Sequence, residues 1–247
     1  MKKTYLILGA SSDIGLELIH QLIAKEDEKD TIIIAHYNSN GEQLIMLRDE
    51  DPKRRIRLLQ ADMSCAEQVQ DLIDKINMWE LEVTHIVNLC ANTFVHTRLK
   101  FWDSDIVNKD MRIQVYSFAE ILRAFVPQMG KRGYGKIVAM LTAYTIGTPP
   151  KNMSGYVTVK YALLGLIKSV ASDYGDKGVN INGISPGMIN TKFVDGIGRK
   201  IKEMSAEGNP KHRNLETKDV VPMILFLLSE QAEFISGTNI NMSGETD

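Results

Sequence analysis

A tyrosine and a lysine with helical spacing are the residues of this chain best suited to move a proton. Tyr156 and Lys160 lie four residues apart, so in a helix both side chains leave the same face. A free tyrosine loses its proton at about pH 10, and a neighbouring cation favours the phenolate and lowers that pKa. We therefore expect Tyr156 to act as a general acid/base in carbonyl chemistry, with Lys160 lowering its pKa.

A glycine turn near the N-terminus could bind a phosphate. The apolar run 5–8 is followed by residues 9–15, Gly-Ala-Ser-Ser-Asp-Ile-Gly, and then by a helical pattern. A strand that turns into a helix exposes backbone N–H groups and the positive end of the helix dipole, where phosphate binds. The spacing differs from Gly-x-Gly-x-x-Gly, and an ordinary turn gives the same pattern. Asp13 is expected to cap the helix and face away from a ligand, because its charge would repel phosphate.

The composition indicates one α/β domain over residues 1–247 and argues against several kinds of site. No Pro/Gly/Ser-rich linker divides the chain, and a formal net charge of −2 offers no basic field for nucleic acid. Two isolated cysteines and five scattered histidines suggest neither a metal site nor a redox pair. With no signal peptide or membrane-length apolar run, we expect a cytoplasmic protein without a membrane partner.

The chain alternates short β-branched runs with amphipathic helical patterns. Strands are expected near 4–9, 31–36, 55–60, 83–88, 135–141, 178–184 and 237–242, and helices near 14–25, 41–51, 64–78, 103–130, 154–175 and 217–229. Nearly continuous apolar strands suit a sheet covered on both faces. We expect a Rossmann-type doubly wound parallel sheet of about seven strands. In such sheets ligands bind at the carboxyl ends of the strands, where the residues singled out here are expected to lie.

These motifs together resemble the short-chain dehydrogenase/reductase family, and the likeness covers the whole chain. Asp62 matches the acidic residue that meets the adenine ring. Residues 88–91 match the family's Asn-Asn-Ala-Gly turn, and residues 185–191 match its Pro-Gly-x-x-x-Thr segment over the nicotinamide. The resemblance implies an NAD(P)-dependent oxidoreductase that transfers hydride between nicotinamide and a substrate carbonyl or alcohol.

The resemblance also implies roles for single residues. Tyr156 would be the acid/base, and Lys160 would hold the nicotinamide ribose. The family's substrate-polarising serine falls on Thr142 if the preceding loop has one extra residue, and otherwise on Ala143, which cannot donate. We favour Thr142 because it keeps a donor and loops accept insertions cheaply. The asparagine of the family's proton relay falls on Gln114, which keeps the amide on a longer arm.

The end of the second strand carries no acidic residue that would repel a 2′-phosphate. Residues 36–39, His-Tyr-Asn-Ser, resemble the NADP-using branch of the family, although Ser12 stands where many of those members carry arginine. We expect NADP, with NAD less favoured. The expected cofactor-binding residues are Gly9, Ser11, Ser12, Ile14, Gly15, Tyr37, Asn38, Ser39, Asp62, Met63, Asn88, Ala91, Tyr156, Lys160, Pro186, Gly187, Ile189 and Thr191.

Three functions remain open. The favoured one is a reductase or dehydrogenase for a small carbonyl or alcohol, with segment 188–214 as a mobile substrate lid. The second is a 3-oxoacyl-(acyl-carrier-protein) reductase, in which Lys131, Arg132 and Lys177 could dock the carrier protein. The third is a dinucleotide-binding protein with little catalysis. An apolar substrate pocket could include Phe94, Val95, Tyr144, Ile146, Met153 and Met188, or these residues could be ordinary packing.

The helical segments 103–130 and 154–175 carry more apolar residues than one face of a sheet can cover. Examples are Ile121, Leu122, Phe125, Val126, Leu163, Leu166 and Ile167. This excess predicts a homo-oligomer, and the family resemblance implies a tetramer.

Overall fold

Seven parallel strands form one sheet in the computed structural model, which describes residues 2–24, 31–92 and 97–244. They are β1 (Lys3–Leu8), β2 (Thr31–Tyr37), β3 (Ile56–Gln60), β4 (His85–Asn88), β5 (Gly135–Met140), β6 (Val179–Pro186) and β7 (Asn239–Met242). Their order is β3-β2-β1-β4-β5-β6-β7, with every pairing parallel. The order reverses between β1 and β4, which opens a crevice at the carboxyl ends of these strands. The predicted fold class is confirmed.

Helices cover both faces of this sheet. They are α1 (Asp13–Ala24), α2 (Glu42–Glu50), α3 (Ala66–Met78), α4 (Ser104–Met111), α5 (Ser117–Arg132), α6 (Ser154–Tyr174), α7 (Arg199–Gly208) and α8 (Thr217–Leu227). One apolar core lies between the sheet and α3, α5 and α6, and a second lies between the sheet and α1, α2 and α8. The strands are buried on both faces because helices pack on both, which explains their nearly continuous apolar sequences.

Two helical regions differ from the prediction. The helix expected over 103–130 is divided into α4 and α5 by a π-helical turn, Arg112–Tyr116, in which the Ser117 N–H bonds to the Arg112 carbonyl five residues earlier. Helix α7 was not predicted, because its sequence is polar and it buries no residue. Together with a 3-10 turn, Lys192–Val194, it occupies much of segment 188–214.

The premise for the oligomer prediction is wrong. Six of its seven apolar residues are buried inside this chain, and the seventh, Leu166, packs against the same core. The large hydrophobic side chains that α6 and the π turn expose are instead Tyr161 and Tyr116, at 46% and 49%. The seven expected residues are therefore not available for a contact with another copy.

Among the residues that the structure describes, no helix combines the length and the apolar character needed to cross a membrane. Within the same residues, no group of three His, Cys, Asp or Glu side chains is arranged to hold a metal ion.

Candidate active site

A cavity of about 530 Å³ occupies the crevice between β1 and β4 and lies within the usual size range of ligand pockets. The predicted residues that line it are Gly9, Ser11, Ser12, Ile14, Asn38, Asp62, Met63, Ala91, Thr142, Tyr156, Lys160, Pro186, Gly187, Ile189 and Thr191. Five predicted residues do not line it: Gly15, Tyr37, Ser39, Asn88 and Gln114. Tyr37 packs against Gly41 instead, where a Cβ atom would meet the ring at 2.6 Å.

The glycine turn is too tight for larger residues. Gly9 has a φ of +74°, and a Cβ atom there would lie 3.0 Å from the carbonyl carbon of Leu89. A Cβ atom on Gly15 would lie 2.5 Å from the Ala10 oxygen. The Ser12 hydroxyl accepts the Gly15 N–H at 3.2 Å and donates to the Gly9 carbonyl at 2.8 Å. The first turn of α1 is thereby capped beside the cavity, where its remaining N–H groups suit an anion.

The expectation for Asp13 is wrong. Ser12 caps α1, while the Asp13 carboxylate crosses to segment 188–214 and accepts the Lys192 backbone N–H at 2.7 Å. Both Asp13 and Lys192 line the cavity. Asp13 therefore joins the glycine turn to the segment that covers the cavity.

His36 is a buried residue that holds the glycine turn, a role that the sequence did not indicate. Its Nδ1 atom accepts the Gly9 N–H at 3.1 Å, and its Nε2 atom lies 2.9 Å from the Ala61 carbonyl oxygen. These contacts require the neutral tautomer with hydrogen on Nε2. Burial lowers the pKa of His36 to about 4, although the Ala61 carbonyl opposes this. A neutral His36 thus ties together the ends of β1, β2 and β3.

Tyr156, Lys160 and Thr142 converge on one wall of the cavity. The Lys160 Nζ atom donates to the Met140 carbonyl at 2.8 Å and lies 5.8 Å from the centre of the Tyr156 ring. Thr142 directly precedes the 3-10 turn Ala143–Thr145, and its side chain hydrogen-bonds with Tyr156. The hydroxyl that meets the tyrosine in this structure belongs to Thr142.

The pKa of Tyr156 does not follow the prediction. Burial raises it to about 12, and the hydrogen bond with Thr142 only partly opposes this. Burial also lowers the pKa of Lys160 to about 8, while Asp110 raises it. The expected net lowering of the Tyr156 pKa by Lys160 is therefore wrong for this structure, because desolvation is the larger effect. At neutral pH the Tyr156 hydroxyl is protonated.

Gln114 and Asn88 lie behind the wall of the cavity. Gln114 is in the π turn and is 1% exposed, and its Oε1 atom has no hydrogen-bond partner among the described residues. Asn88 ends β4, and its Oδ1 atom accepts the Cys90 N–H at 3.2 Å. That bond shapes the predicted 88–91 turn, whereas the Asn88 Nδ2 atom is buried without a partner among the described residues.

Asp110 is a charged residue near the site that sequence reasoning missed. It hydrogen-bonds with Asn92 and raises the pKa values of both Tyr156 and Lys160 through its charge. The available signal was its position four residues before Gln114, which places the two side chains on one face of a regular helix.

The expected substrate pocket is only partly assembled. Tyr144 and Met188 line the main cavity, Met153 lines a smaller one, and Ile146 lines neither. Phe94 and Val95 lie outside the described residues. Seven residues of segment 188–214, from Met188 to Ile197, line the main cavity.

Known proteins share this sequence pattern and fold. A family model described as enoyl-(acyl carrier protein) reductase matches residues 9–244. A 3-oxoacyl-(acyl-carrier-protein) reductase, FabG, of Staphylococcus aureus (strain Mu50) is 24% identical over 251 residues, which cover 99% of this chain and 98% of FabG. The solved structure of 4-hydroxyisoleucine dehydrogenase complexed with NADH is 24% identical, with a TM-score of 0.87 over 98% of this chain and 97% of its own. ElxO with NADP bound is also 24% identical, with a TM-score of 0.85 over 99% of this chain and 98% of its own. Because the family model spans nearly the whole chain, the protein belongs to the short-chain dehydrogenase/reductase family of oxidoreductases.

Proposed function

We propose that the protein is an NADP-dependent reductase or dehydrogenase of a small carbonyl or alcohol, with Tyr156 as its acid/base. The observation that carries this proposal is the hydrogen bond between Tyr156 and Thr142 beside Lys160, on the wall of a cavity that begins at the glycine turn. A proton donor and a phosphate-binding turn in one cavity suit hydride transfer coupled to proton transfer.

The residues of the main cavity fit a dinucleotide. The turn at Gly9 and the N-terminus of α1 would hold its phosphates, because the backbone N–H groups and the positive end of the helix dipole there favour an anion. Asp62 would meet the adenine end, and Lys160 would meet the nicotinamide ribose. The cofactor supplies or accepts the hydride at the substrate carbon.

Tyr156 would supply the proton that balances this hydride. In reduction, the carbonyl carbon gains a hydride, the C=O π electrons move to the oxygen, and that oxygen takes the Tyr156 proton. The phenolate left behind would be stabilised by the Thr142 hydroxyl and by Lys160, and it would regain a proton from water. Thr142 would also polarise the carbonyl oxygen as its charge develops. Oxidation of the alcohol reverses each transfer.

NADP is proposed over NAD from the residues around the end of β2. Asn38 and Asn40 line the cavity there, and residues 35–40 include no carboxylate. A carboxylate at this strand end would pair with the 2′-hydroxyl of NAD and repel a 2′-phosphate. Titration of intrinsic fluorescence should give tighter binding of NADPH than of NADH. Asn38→Asp should reverse that order, and a clear NADH preference in the wild type would contradict the proposal.

The activity test mixes the protein with NADPH and separately with NADH, and follows absorbance against ketones, diketones and a 3-oxoacyl thioester. We expect turnover of at least one carbonyl with NADPH. Cofactor binding without turnover of any compound in the panel would instead support a dinucleotide-binding protein with little catalysis.

A 3-oxoacyl-(acyl-carrier-protein) reductase is the second candidate, supported by the full-length similarity to FabG. The basic residues considered for carrier docking, Lys131, Arg132 and Lys177, directly precede β5 and β6 and so lie at the amino-terminal ends of these strands. The cavity lies at the carboxyl ends of the strands, on the opposite side of the domain. Arg132 also donates to the Val83 carbonyl at 2.7 Å, and Lys177 donates to the Asp173 carbonyl at 2.9 Å. A carrier-bound thioester reduced faster than the same acyl group on a small thiol would favour this candidate.

A further inference from the structure

A second cavity, of about 150 Å³, adjoins the candidate active site. Tyr156 and Asn92 line both cavities, so the smaller one begins where the main one reaches the tyrosine. Its other walls come from residues 97–110 and from the first turn of α6. A cavity of this volume has room for several waters or for a short substrate end.

Asp110, in the last turn of α4, contributes an incompletely paired carboxylate to this smaller cavity. It hydrogen-bonds with Asn92, but its Oδ1 atom is buried and has no hydrogen-bond partner among the described residues. A buried charged oxygen that lacks a partner is costly, because desolvation is not offset by a hydrogen bond. A ligand that brings a donor to this oxygen would remove that cost.

An ionised Asp110 carboxylate favours a cationic donor, because charge-assisted hydrogen bonds are the stronger ones. Burial raises the pKa of Asp110, while the Asn92 hydrogen bond and the charges of Lys160 and Lys109 oppose this and stabilise the ionised form. Two other charged residues line the same cavity. The Asp103 carboxylate accepts two backbone N–H groups of α4 as the helix cap, and Arg98 is exposed, so that solvent screens its charge. Among the described residues that line this cavity, Asp110 therefore has a carboxylate oxygen that a ligand could still pair with through a hydrogen bond.

Taking the proposed function as its basis, we propose that the smaller cavity binds the non-reacting end of the substrate through a protonated amino group paired with Asp110. The reacting carbon then lies beside Tyr156, so the substrate class is a short amino ketone or amino alcohol. Trp102 lines the same cavity and adds an aromatic surface of the kind that attracts ammonium groups.

The first test compares oxidation of 4-aminobutan-2-ol with that of pentan-2-ol, in which a methyl group replaces the amino group. The wild type should have a kcat/KM at least about tenfold higher for the amino alcohol, since an ionic hydrogen bond distinguishes the two. Asp110→Asn should lower the ratio of kcat/KM for the amino alcohol to kcat/KM for pentan-2-ol by roughly tenfold to a hundredfold, because any effect of its charge on Tyr156 and Lys160 acts on both alcohols. No preference in the wild type would overturn the proposal.

Asp103→Asn is the matched control, because it removes one negative charge from the same cavity and retains a residue that caps helices well. It should leave the ratio of the two kcat/KM values within about threefold of the wild type. If Asp110→Asn slows both alcohols equally, Asp110 acts only on Tyr156 and Lys160, and the amino subsite is wrong. Titration with NADPH checks that the variant is folded, since Asp110 does not line the main cavity.

Binding without turnover separates this inference from the proposed function. In a Tyr156→Phe background with saturating NADP⁺, the dissociation constant of 4-aminobutan-2-ol is measured by NMR titration with and without Asp110→Asn. The second substitution should weaken binding roughly tenfold or more. An unchanged constant, or no binding in either background, overturns the subsite. If binding depends on Asp110 but the wild type oxidises no alcohol, the proposed function fails and the subsite remains.

Discussion

Tyr156 is protonated at neutral pH, as a free tyrosine is, and burial raises its pKa further to about 12, so the proton is present for transfer to a carbonyl oxygen. Tyr156→Phe keeps the ring and removes that proton. We expect kcat to fall by roughly 10²–10⁴-fold. The affinity for NADPH should stay within about threefold, because the hydroxyl contributes little to ground-state binding. Steady-state kinetics and a fluorescence titration measure the two effects, and turnover near that of the wild type would exclude Tyr156 as the acid.

Thr142 hydrogen-bonds with Tyr156 and is 6% exposed. Thr142→Ala removes a donor that would strengthen as charge develops on the substrate oxygen. The loss of one such donor lowers kcat by roughly 10²–10³-fold. Thr142→Ser keeps the hydroxyl and should keep most of the activity. Both values of kcat are measured with the same carbonyl substrate.

The rival donor is Ser154, the first residue of α6, which lines the smaller cavity. Ser154→Ala is the control, and it should lower kcat by less than about tenfold. If this order is reversed, with Thr142→Ala mild and Ser154→Ala severe, Thr142 is only a packing residue and does not belong to the site.

Among the elements, the ends of β1, β2 and β3 are joined by one neutral histidine. His36 has a pKa of about 4 when folded, whereas a free histidine titrates at about 6.5. Below about pH 6.5 the His36 side chain of the unfolded chain therefore binds a proton, whereas in the folded chain His36 stays neutral down to about pH 4. The stability that His36 contributes is complete above about pH 6.5 and falls as the pH drops. Between pH 7 and pH 4.5 the loss should be about 2 kcal/mol.

Urea unfolding at pH 7 and pH 4.5 measures this loss. His36→Asn should be less stable at pH 7 but should lose about 2 kcal/mol less than the wild type on acidification. Other groups also titrate in this range, so the difference between the two proteins is the relevant quantity. His20→Asn, at an exposed position in α1, should retain the full wild-type loss. Equal losses in wild type and His36→Asn would show that His36 is not the group responsible.

The contact between α1 and segment 188–214 gives a second prediction for the elements. The Lys192 N–H is held by the Asp13 carboxylate at 2.7 Å. Asp13→Ala should leave that amide open to solvent and accelerate its hydrogen exchange, followed by mass spectrometry on peptides spanning 188–198. Asp195→Ala is the control, because Asp195 pairs with the Lys202 side chain at 3.4 Å. Unchanged exchange in Asp13→Ala would show that the contact does not hold this segment in solution.

The strands were predictable because burial on both faces leaves an apolar sequence that can be read directly, as in β2. Helix α7 was not, since it is polar and buries nothing. The π turn was not predictable either, because the sequences of α4 and α5 follow one continuous helical pattern. A single N–H that bonds to the carbonyl five residues earlier does not change that pattern. Element type follows from periodicity, whereas these local departures depend on how the helix meets its neighbours.

Some residues of the site were predictable from the sequence and others were not. Gly9 was predictable, because its positive φ and its close approach to the Leu89 backbone are tolerated by glycine and not by larger residues. Asp110 acts on Tyr156 through space, and the sign of the Tyr156 pKa shift depends on burial. Neither effect follows from sequence spacing, because both arise from the packing of α4 against α6.

At the scale of the whole molecule, the exposed aromatic residues next to the site give the last prediction. Tyr116 in the π turn and Tyr161 in α6 belong to elements that pack together, and both rings are nearly half exposed. Large apolar groups that are exposed on neighbouring elements are typical of surfaces that bind another protein. We expect a homo-oligomer that buries them, with a symmetric contact between copies. Light scattering at micromolar concentration should show more than one chain per particle.

Two variants locate the contact. Tyr161→Glu places a charge in the expected interface and should shift the particle mass toward the monomer, because a buried unpaired charge is costly. Met46→Glu is the matched control on α2, which packs on the opposite face of the sheet, and at 60% exposure it should leave the mass unchanged. A wild-type monomer would contradict the oligomer itself. A wild-type oligomer that only Met46→Glu dissociates would instead place the contact on the α2 face.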